Sequence, residues 1–177
     1  MATLYTIGHS TRTSDELIAA LRGHGITTLV DVRSFPMSRR LPHFNREALE
    51  RELPRHGIQY VWMKELGGRR KKILADSPNL ALRNDSFRNY ADYMMTREFA
   101  QAIEQLLQLA KRGKTAYMCA ERLYFQCHRM LISDYLVAHG HTVLHIDDEK
   151  RVPREHKLMT EARLVDGRLV YDGGMLL

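Results

Sequence analysis

The stretch "TLYTIGHS", residues 3–10, places a short apolar run directly before a Gly-His-Ser turn. A run of this length that ends at a turn signal predicts a buried β-strand. Thr13 or Ser14 then caps a helix that continues to Gly23. Because Leu17 rather than a glutamate lies three positions after Ser14, we expect the capping box of this helix to be incomplete. The N-terminus therefore predicts a strand, a turn and a helix.

The same alternation continues along the chain. Further strands are predicted at 27–32, 58–63, 115–120 and 142–146, and further helices at 45–56, 86–111 with a break near Thr96, and 127–139. Two alternating runs around Asp166-Gly167 predict a hairpin. Strand–helix repetition favours right-handed crossovers and a mostly parallel sheet that is covered on both faces. We therefore expect one α/β domain over residues 1–177, with three layers, a Rossmann-like sheet and a C-terminal β-hairpin.

Composition and charge restrict the function classes. The formal net charge of +6 favours anionic partners, such as phosphorylated metabolites, nucleotides or nucleic acid. Two cysteines are too few for a secreted disulfide framework. The first residues lack the pattern of a signal peptide, and no run approaches the length of a membrane span. We expect a cytoplasmic protein that does not associate with membranes.

Reactive side chains follow four of the predicted strands. They are His9 and Ser10, Asp31 and Arg33, Cys119 and Glu121, and His145 and Asp147. In open α/β sheets, ligands bind beyond the carboxyl ends of the strands, where the strand order reverses. We therefore predict a common cleft that contains His9, Asp31, Arg33, Glu121 and Arg129, although loops are often polar for other reasons.

Several motifs resemble the DUF488 family. They are "YTIGHS" at 5–10, "DVR" with a proline and a serine at 31–38, "ELGG" at 65–68, and "CAE" spaced to "CHRMLI" at 119–132. By this resemblance the family motif positions are Gly8, His9, Ser10, Asp31, Arg33, Pro36, Ser38, Glu121, Cys127, His128 and Arg129. The segment "RLYFQ" departs from the family pattern, in which an Asp-Pro turn is common. The family is named for its lack of an established function, so the resemblance implies the fold and the site and leaves the reaction open.

The two cysteines admit several interpretations. Cys127 precedes a helix, where helix N–H groups and nearby basic residues stabilise a thiolate, but free cysteines are also typical core residues. Cys119, at the end of an apolar strand, fits a packed residue better. Zinc is a weak alternative, with Cys119, Cys127 and His128 as candidate ligands, because their spacing is not that of a standard zinc motif. A cysteine-phosphatase loop is excluded, since Phe125 rather than arginine lies at the required position.

Acid–base and anion-binding roles can be assigned to the remaining candidates. Glu121 and Asp31 are candidate acid–base groups with help from His9, and the alternative for Asp31 is an ion pair with Arg33. The candidate substrate-binding residues are Ser10, Arg33, Ser38, His128, Arg129, Arg69 and Arg70. The last two belong to "KELGGRRKK", which suits either a lid that closes over a polyanion or an ordinary solvated loop.

Three function hypotheses follow. The first is an enzyme that hydrolyses, or transfers a group from, an anionic phosphorylated or nucleobase-containing substrate, with nucleic acid included. No cofactor is predicted, because the chain has neither a P-loop nor a dinucleotide-binding glycine motif. The second is a nucleic-acid-binding module without catalysis. The third is a thiol-dependent redox or metal protein. The sequence leaves the oligomeric state open.

Overall fold

A mostly parallel sheet forms the centre of the protein. In the computed structural model, which describes residues 1–173, this sheet has five parallel strands and one antiparallel edge strand. The strands are β1 (Thr3–Gly8), β2 (Thr28–Asp31), β3 (Gln59–Trp62), β4 (Thr115–Cys119), β5 (Thr142–His145) and β6 (Arg154–Glu155), in the order β3-β2-β4-β1-β5-β6. The antiparallel β6 pairs with β5 and was not predicted from the sequence.

Helices cover both faces of the sheet. They are α1 (Ser14–Gly23), α2 (Arg46–Glu52), α3 (Asp85–Tyr93), α4 (Arg97–Arg112) and α5 (Arg129–Ala138). One buried cluster joins α1 and α2 to the sheet, and a second joins α3, α4 and α5 to its other face. A separate antiparallel hairpin follows, with β7 (Ala162–Val165) and β8 (Arg168–Tyr171). The predicted three-layer α/β fold with a C-terminal hairpin is confirmed.

Local capping explains where the helices begin. The expected incomplete capping box at α1 is wrong, because Thr13 rather than Ser14 is the N-cap. The Thr13 hydroxyl accepts from the Glu16 N–H at 3.1 Å, and the Glu16 carboxylate accepts from the Thr13 N–H at 2.8 Å. Thr96 caps α4 in the same manner by accepting from the Phe99 N–H at 3.3 Å. This cap accounts for the predicted break between α3 and α4.

The strand order creates a crevice at the carboxyl ends of the central strands β1 and β4. The chain leaves β1 through α1 and crosses β4 to reach β2, whereas it leaves β4 through α5 and crosses β1 to reach β5. These neighbouring strands therefore connect in opposite directions and on opposite faces, which opens a crevice at their carboxyl ends. In the part of the chain that the structure describes, no helix is long and apolar enough to cross a membrane.

Candidate active site

A cleft of about 1070 Å³ lies at the carboxyl ends of β1, β2 and β4. The predicted site residues that line it are His9, Ser10, Arg33, Ser38, Arg69, Glu121, Cys127 and His128. Asp31 and Arg129 do not line the cleft but lie buried behind it. The structure therefore brings most of the predicted residues to one cavity and assigns two of them to its supporting wall.

Asp31 and Arg33 form a buried ion pair in that wall. The Asp31 carboxylate accepts from Arg33 Nε at 2.9 Å and from Nη2 at 2.6 Å, and it also accepts from the Tyr60 hydroxyl at 2.5 Å. Arg33 Nη2 donates to the Phe44 carbonyl oxygen at 2.7 Å as well. Most of the N–H groups of Arg33 are therefore engaged within the protein, which leaves little of this side chain for a ligand.

His9 is held in one tautomer. Its Nδ1 lies 2.9 Å from the Ser10 carbonyl oxygen, and its Nε2 lies 3.3 Å from Nη1 of Arg33. Burial lowers the pKa of His9 to about 4, against the effect of the hydrogen bond to Ser10 and with the help of the Arg33 charge. A neutral ring donates through Nδ1 to the carbonyl and accepts through Nε2 from Arg33. His9 therefore supports Arg33, and its role as a proton-transfer group stays a prediction.

Glu121 reaches the cleft because two backbone segments nearly touch. A Cβ atom added at Gly8 would lie only 1.8 Å from the Glu121 carbonyl oxygen, so only glycine permits this approach. The Glu121 side chain is exposed, and none of the described residues forms a hydrogen bond or an ion pair with its carboxylate. Glu121 is thus an exposed carboxylate of the cleft lining without a partner among the described residues, and its acid–base role stays a prediction.

Cys119 and Cys127 meet at the base of the cleft as free thiols. Their Sγ atoms are 2.7 Å apart, although eight positions separate the residues in sequence. Cys119 ends β4, whereas Cys127 lies just before α5, where its sulfur accepts from the Arg129 backbone N–H at 3.3 Å. Both residues line the cleft, and Cys127 is 8% exposed.

The surroundings of the two thiols shift their pKa values in opposite directions. Burial opposes ionisation of Cys127, but hydrogen bonding from Cys119 and His128 and the charge of Arg129 outweigh it and hold its pKa well below the usual range. Burial and the neighbouring Cys127 raise the pKa of Cys119 well above that range. These directions favour Cys127 over Cys119 as the sulfur atom that loses its proton first.

Arg129 is a buried cation behind these sulfur atoms. Only 1% of it is exposed, and among the described residues no carboxylate lies within ion-pair distance of its guanidinium. Its Nε donates to Cys119 Sγ at 3.0 Å, and its Nη2 donates to the carbonyl oxygens of Glu121 and Arg122 at 2.6 and 3.0 Å. The thiol pair raises the pKa of Arg129 against the effect of burial. Arg129 therefore supplies the positive charge that stabilises a thiolate.

A buried chain of hydrogen bonds extends from Arg129 away from the cleft. Nη1 of Arg129 donates to Thr6 Oγ1 at 2.9 Å, and this hydroxyl lies 2.6 Å from His145 Nδ1. His145 Nε2 lies 2.9 Å from His156 Nδ1, and His156 Nε2 lies 2.7 Å from the Asp134 carboxylate. We refer to Thr6, His145, His156 and Asp134 as the buried relay.

The donors and acceptors of the buried relay match in one direction. Burial, with smaller contributions from the neighbouring His156 and Arg129, lowers the pKa of His145 to about 2, so His145 is neutral. If each histidine carries its proton on Nε2, each contact from Arg129 to Asp134 has one donor and one acceptor. The Tyr124 ring stacks on His145 at 3.8 Å between centroids. The relay therefore joins the buried guanidinium of Arg129 to the buried carboxyl group of Asp134.

Sequence reasoning found only part of this relay. His145 was identified at the end of a predicted strand, but Thr6, Asp134 and His156 were not. Asp134 carried a readable signal, because it lies in α5 within "RMLISDYLVA", a helix that is apolar on most sides. A charged residue in such a helix is buried and needs a partner. The sequence held no comparable signal for Thr6 or His156.

The basic segment after β3 contributes one arginine to the cleft. Arg69 lines the cleft and its guanidinium lies 5.3 Å from the Phe35 ring. Arg70 does not line the cleft, which corrects its expected position there: it donates to the Gly67 and Lys64 carbonyl oxygens and packs on Tyr93 at 3.8 Å. A Cβ at Gly67 would lie 2.5 Å from Ser34 Oγ, so this glycine serves close packing. The lid stays a prediction.

Metal binding finds little support at the two thiols. Within residues 1–173, no group of three or more His, Cys, Asp or Glu side chains is arranged to hold a metal ion. His128 Nε2 lies 2.7 Å from the Val32 carbonyl oxygen, and the guanidinium of Arg129 contacts the sulfur of Cys119. A fixed positive charge beside the sulfur atoms opposes the binding of a cation there. Zinc stays a weak prediction.

Comparison with known proteins gives one family match. The family described as "Domain of unknown function DUF488" matches residues 13–136. This range includes the basic segment, both cysteines and Arg129, but it begins after the "YTIGHS" motif and ends before His145 and His156. Comparisons with curated proteins and with solved structures gave no match.

Proposed function

This chain belongs to the DUF488 family, and because that name assigns no reaction we propose a function from the cleft itself: a thiol-dependent enzyme that acts on an anionic substrate. Cys127 is the nucleophile. The observation that carries this proposal is the contact of Cys127 with Cys119 at 2.7 Å, beside the buried guanidinium of Arg129 and within an open cleft. A thiolate stabilised by a fixed cation at the start of a helix is the environment of reactive cysteines.

The proposed chemistry is transfer of a group to sulfur. The Cys127 thiolate forms a bond to an electrophilic atom of the substrate while the bond to the leaving group breaks, and the leaving group takes the electron pair. A second nucleophile that reaches the cleft then releases the group from Cys127. This reaction class requires no organic cofactor and depends on reduced thiols, for which the cytoplasm is the proposed location.

Charge at the cleft supports an anionic substrate. Arg40 and Arg69 line the cleft and are exposed, and neither has a carboxylate partner among the described residues, whereas Glu121 is the one acidic residue of the lining. A small anion fits better than nucleic acid as the main substrate. Arg70, which was expected to bind a polyanion, instead donates to the Gly67 carbonyl oxygen of its own loop and packs on Tyr93.

Alkylation of Cys127 by two reagents of different charge tests the proposal. Iodoacetate is anionic and iodoacetamide is neutral, and the ratio of their rate constants at pH 7 is compared with the ratio for a cysteine-containing peptide in the same buffer. We expect Cys127 to react with both reagents and to favour iodoacetate about tenfold more than the peptide does, because positive charge raises the local concentration of anions. Peptide mapping identifies the modified cysteine.

Three variants make the test specific. Arg69→Gln lowers the preference for iodoacetate, and Glu121→Gln raises it, because one removes an attractive charge and the other a repulsive charge. Arg39→Gln is the matched control, since Arg39 is exposed and does not line the cleft. Failure of Cys127 to react with either reagent would overturn the nucleophile, and a ratio equal to that of the peptide would overturn the anionic substrate.

A further inference from the structure

We propose that Cys119 is the resolving thiol of Cys127, so that this site performs thiol–disulfide exchange with an anionic disulfide. The inference rests on the proposed function only in taking Cys127 as the nucleophile. It adds the identity of the second nucleophile and the chemical class of the substrate.

The positions of the two sulfur atoms favour this role. Both thiols are free and their Sγ atoms are in contact at 2.7 Å, so a group bound to Cys127 lies within reach of Cys119 without rearrangement of the chain. Both cysteines line the cleft, but Cys119, at the end of β4, is 3% exposed, whereas Cys127 is 8% exposed. A substrate that enters the cleft thus meets Cys127 as the attacking thiol.

The acid–base properties of the pair agree with this division. The pKa of Cys127 is lowered and that of Cys119 is raised, mainly through burial of Cys119 and the stabilisation of one thiolate by the other thiol and by Arg129. The groups that face Cys127 from the packed elements are Cys119, His128, Arg129 and the phenols of Tyr90 and Tyr117. An attacking thiol needs thiolate character, whereas a resolving thiol stays protonated until the mixed disulfide forms.

The exchange balances in two steps. In the first, the Cys127 thiolate attacks one sulfur atom of the substrate, the substrate disulfide breaks, and one thiolate leaves with the electron pair. In the second, Cys119 loses its proton to solvent and attacks Cys127 Sγ, which expels the second thiolate. Two electrons pass from the protein to the substrate. The products are a Cys119–Cys127 disulfide and two molecules of thiol, and a dithiol reductant then returns the protein to its two free thiols while becoming a disulfide itself.

Arg129 favours the reduced state of this pair. Oxidation removes the thiolate from beside a buried guanidinium that has no carboxylate partner within ion-pair distance among the described residues. Stabilisation of the reduced form makes the corresponding disulfide a stronger oxidant. We therefore expect the Cys119–Cys127 disulfide to be reduced readily by an excess of reduced glutathione.

The test uses glutathione disulfide, which is anionic, and cystamine, which is a cationic disulfide. The reduced full-length protein is incubated with each reagent at pH 7, and the products are identified by intact mass and peptide mapping. We expect glutathione disulfide to give the Cys119–Cys127 disulfide with release of two glutathione molecules, about tenfold faster than cystamine does. The Cys119→Ser variant stops at the mixed disulfide on Cys127, and Cys127→Ser forms neither product.

The outcomes separate the inference from the proposed function. If the wild-type protein stops at the mixed disulfide as Cys119→Ser does, Cys119 is not the resolving thiol, while the nucleophilic role of Cys127 stands. If Cys127 is alkylated by iodoacetate yet reacts with neither disulfide, the exchange activity is overturned alone. If Cys127 reacts with none of the reagents, both proposals are overturned. Equal rates with the two disulfides would overturn the anionic substrate class.

Discussion

Asp31 and Arg33 occupy the end of β2 with side chains that are 0% and 7% exposed, and each is the main partner of the other. The sequence predicted Asp31 as an acid–base group of the cleft. Its carboxylate instead accepts hydrogen bonds from Arg33 and Tyr60, which favours a positioning role. Removing one member of such a pair leaves the other as an uncompensated buried charge.

We predict that Asp31→Asn lowers the free energy of unfolding by about 3–5 kcal/mol, because Arg33 then lacks its counter-ion. Chemical denaturation at pH 7 measures this change. The control is Asp85→Asn, since the Asp85 side chain is 90% exposed and its ion pair with Arg88 contributes little. If the Asp31→Asn protein has wild-type stability but its Cys127 no longer reacts, Asp31 is instead a catalytic group.

At the scale of elements, the buried relay connects strands and helices that are distant in sequence. Thr6 lies on β1, His145 on β5 and Asp134 on α5, while His156 follows β6. Each member hydrogen-bonds to the next, so the loss of His156 removes one hydrogen bond from His145 and one from Asp134. Asp134 keeps the Tyr171 hydroxyl and the Met159 N–H as donors, whereas His145 Nε2 is left without a partner in the relay. The penalty for a buried polar group without a partner is about 1–3 kcal/mol.

We predict that His156→Leu destabilises the protein by about 1–3 kcal/mol or more, because Asp134 and His145 each lose a hydrogen bond. His156→Gln, which keeps one donor and one acceptor, should cost less. In the wild-type protein, ¹⁵N spectra should identify His145 and His156 as Nε2–H tautomers. An Nδ1–H tautomer for either ring, or equal losses in the two variants, would contradict the direction of the relay.

Local patterns and long-range contacts differ in how far they can be predicted from sequence. The β1–α1 unit and the hairpin at Asp166-Gly167 follow from neighbouring residues, so their positions were predicted closely. The parallel strands also predicted that His9, Arg33 and Glu121 share a cleft. By contrast, the contact between Cys119 and Cys127 and the carbonyl partners of Arg129 depend on how the 120–126 segment folds against β1. No local pattern encodes that contact.

For the whole molecule, two buried histidines make stability depend on pH. His9 and His145 are 4% and 8% exposed, and burial lowers their pKa values to about 4 and about 2. Between these values and about 6.5, the unfolded chain binds protons that the folded protein does not. Stability is therefore complete above pH 6.5 and falls as the pH decreases, by about 1.4 kcal/mol per pH unit for each histidine.

We predict that His145→Gln reduces this slope by about 1.4 kcal/mol per pH unit, because it removes one of the two groups. The free energy of unfolding is measured by chemical denaturation between pH 7 and pH 4.5. His56→Gln, which changes a histidine at the end of the segment after α2, is the control for composition. An unchanged slope in His145→Gln would show that this ring is protonated in the folded protein.

The Tyr171 hydroxyl donates to Asp134 at 2.8 Å, so the C-terminal hairpin is joined through the relay to Arg129 and the two cysteines. The ends of the family match therefore do not mark the ends of the unit that must fold together. A fragment cut to residues 13–136 would keep both thiols and yet lose β1, β5 and the hairpin, and with them the groups that hold the guanidinium in place. The two reactive cysteines therefore depend on strands and on a hairpin that lie outside the matched range.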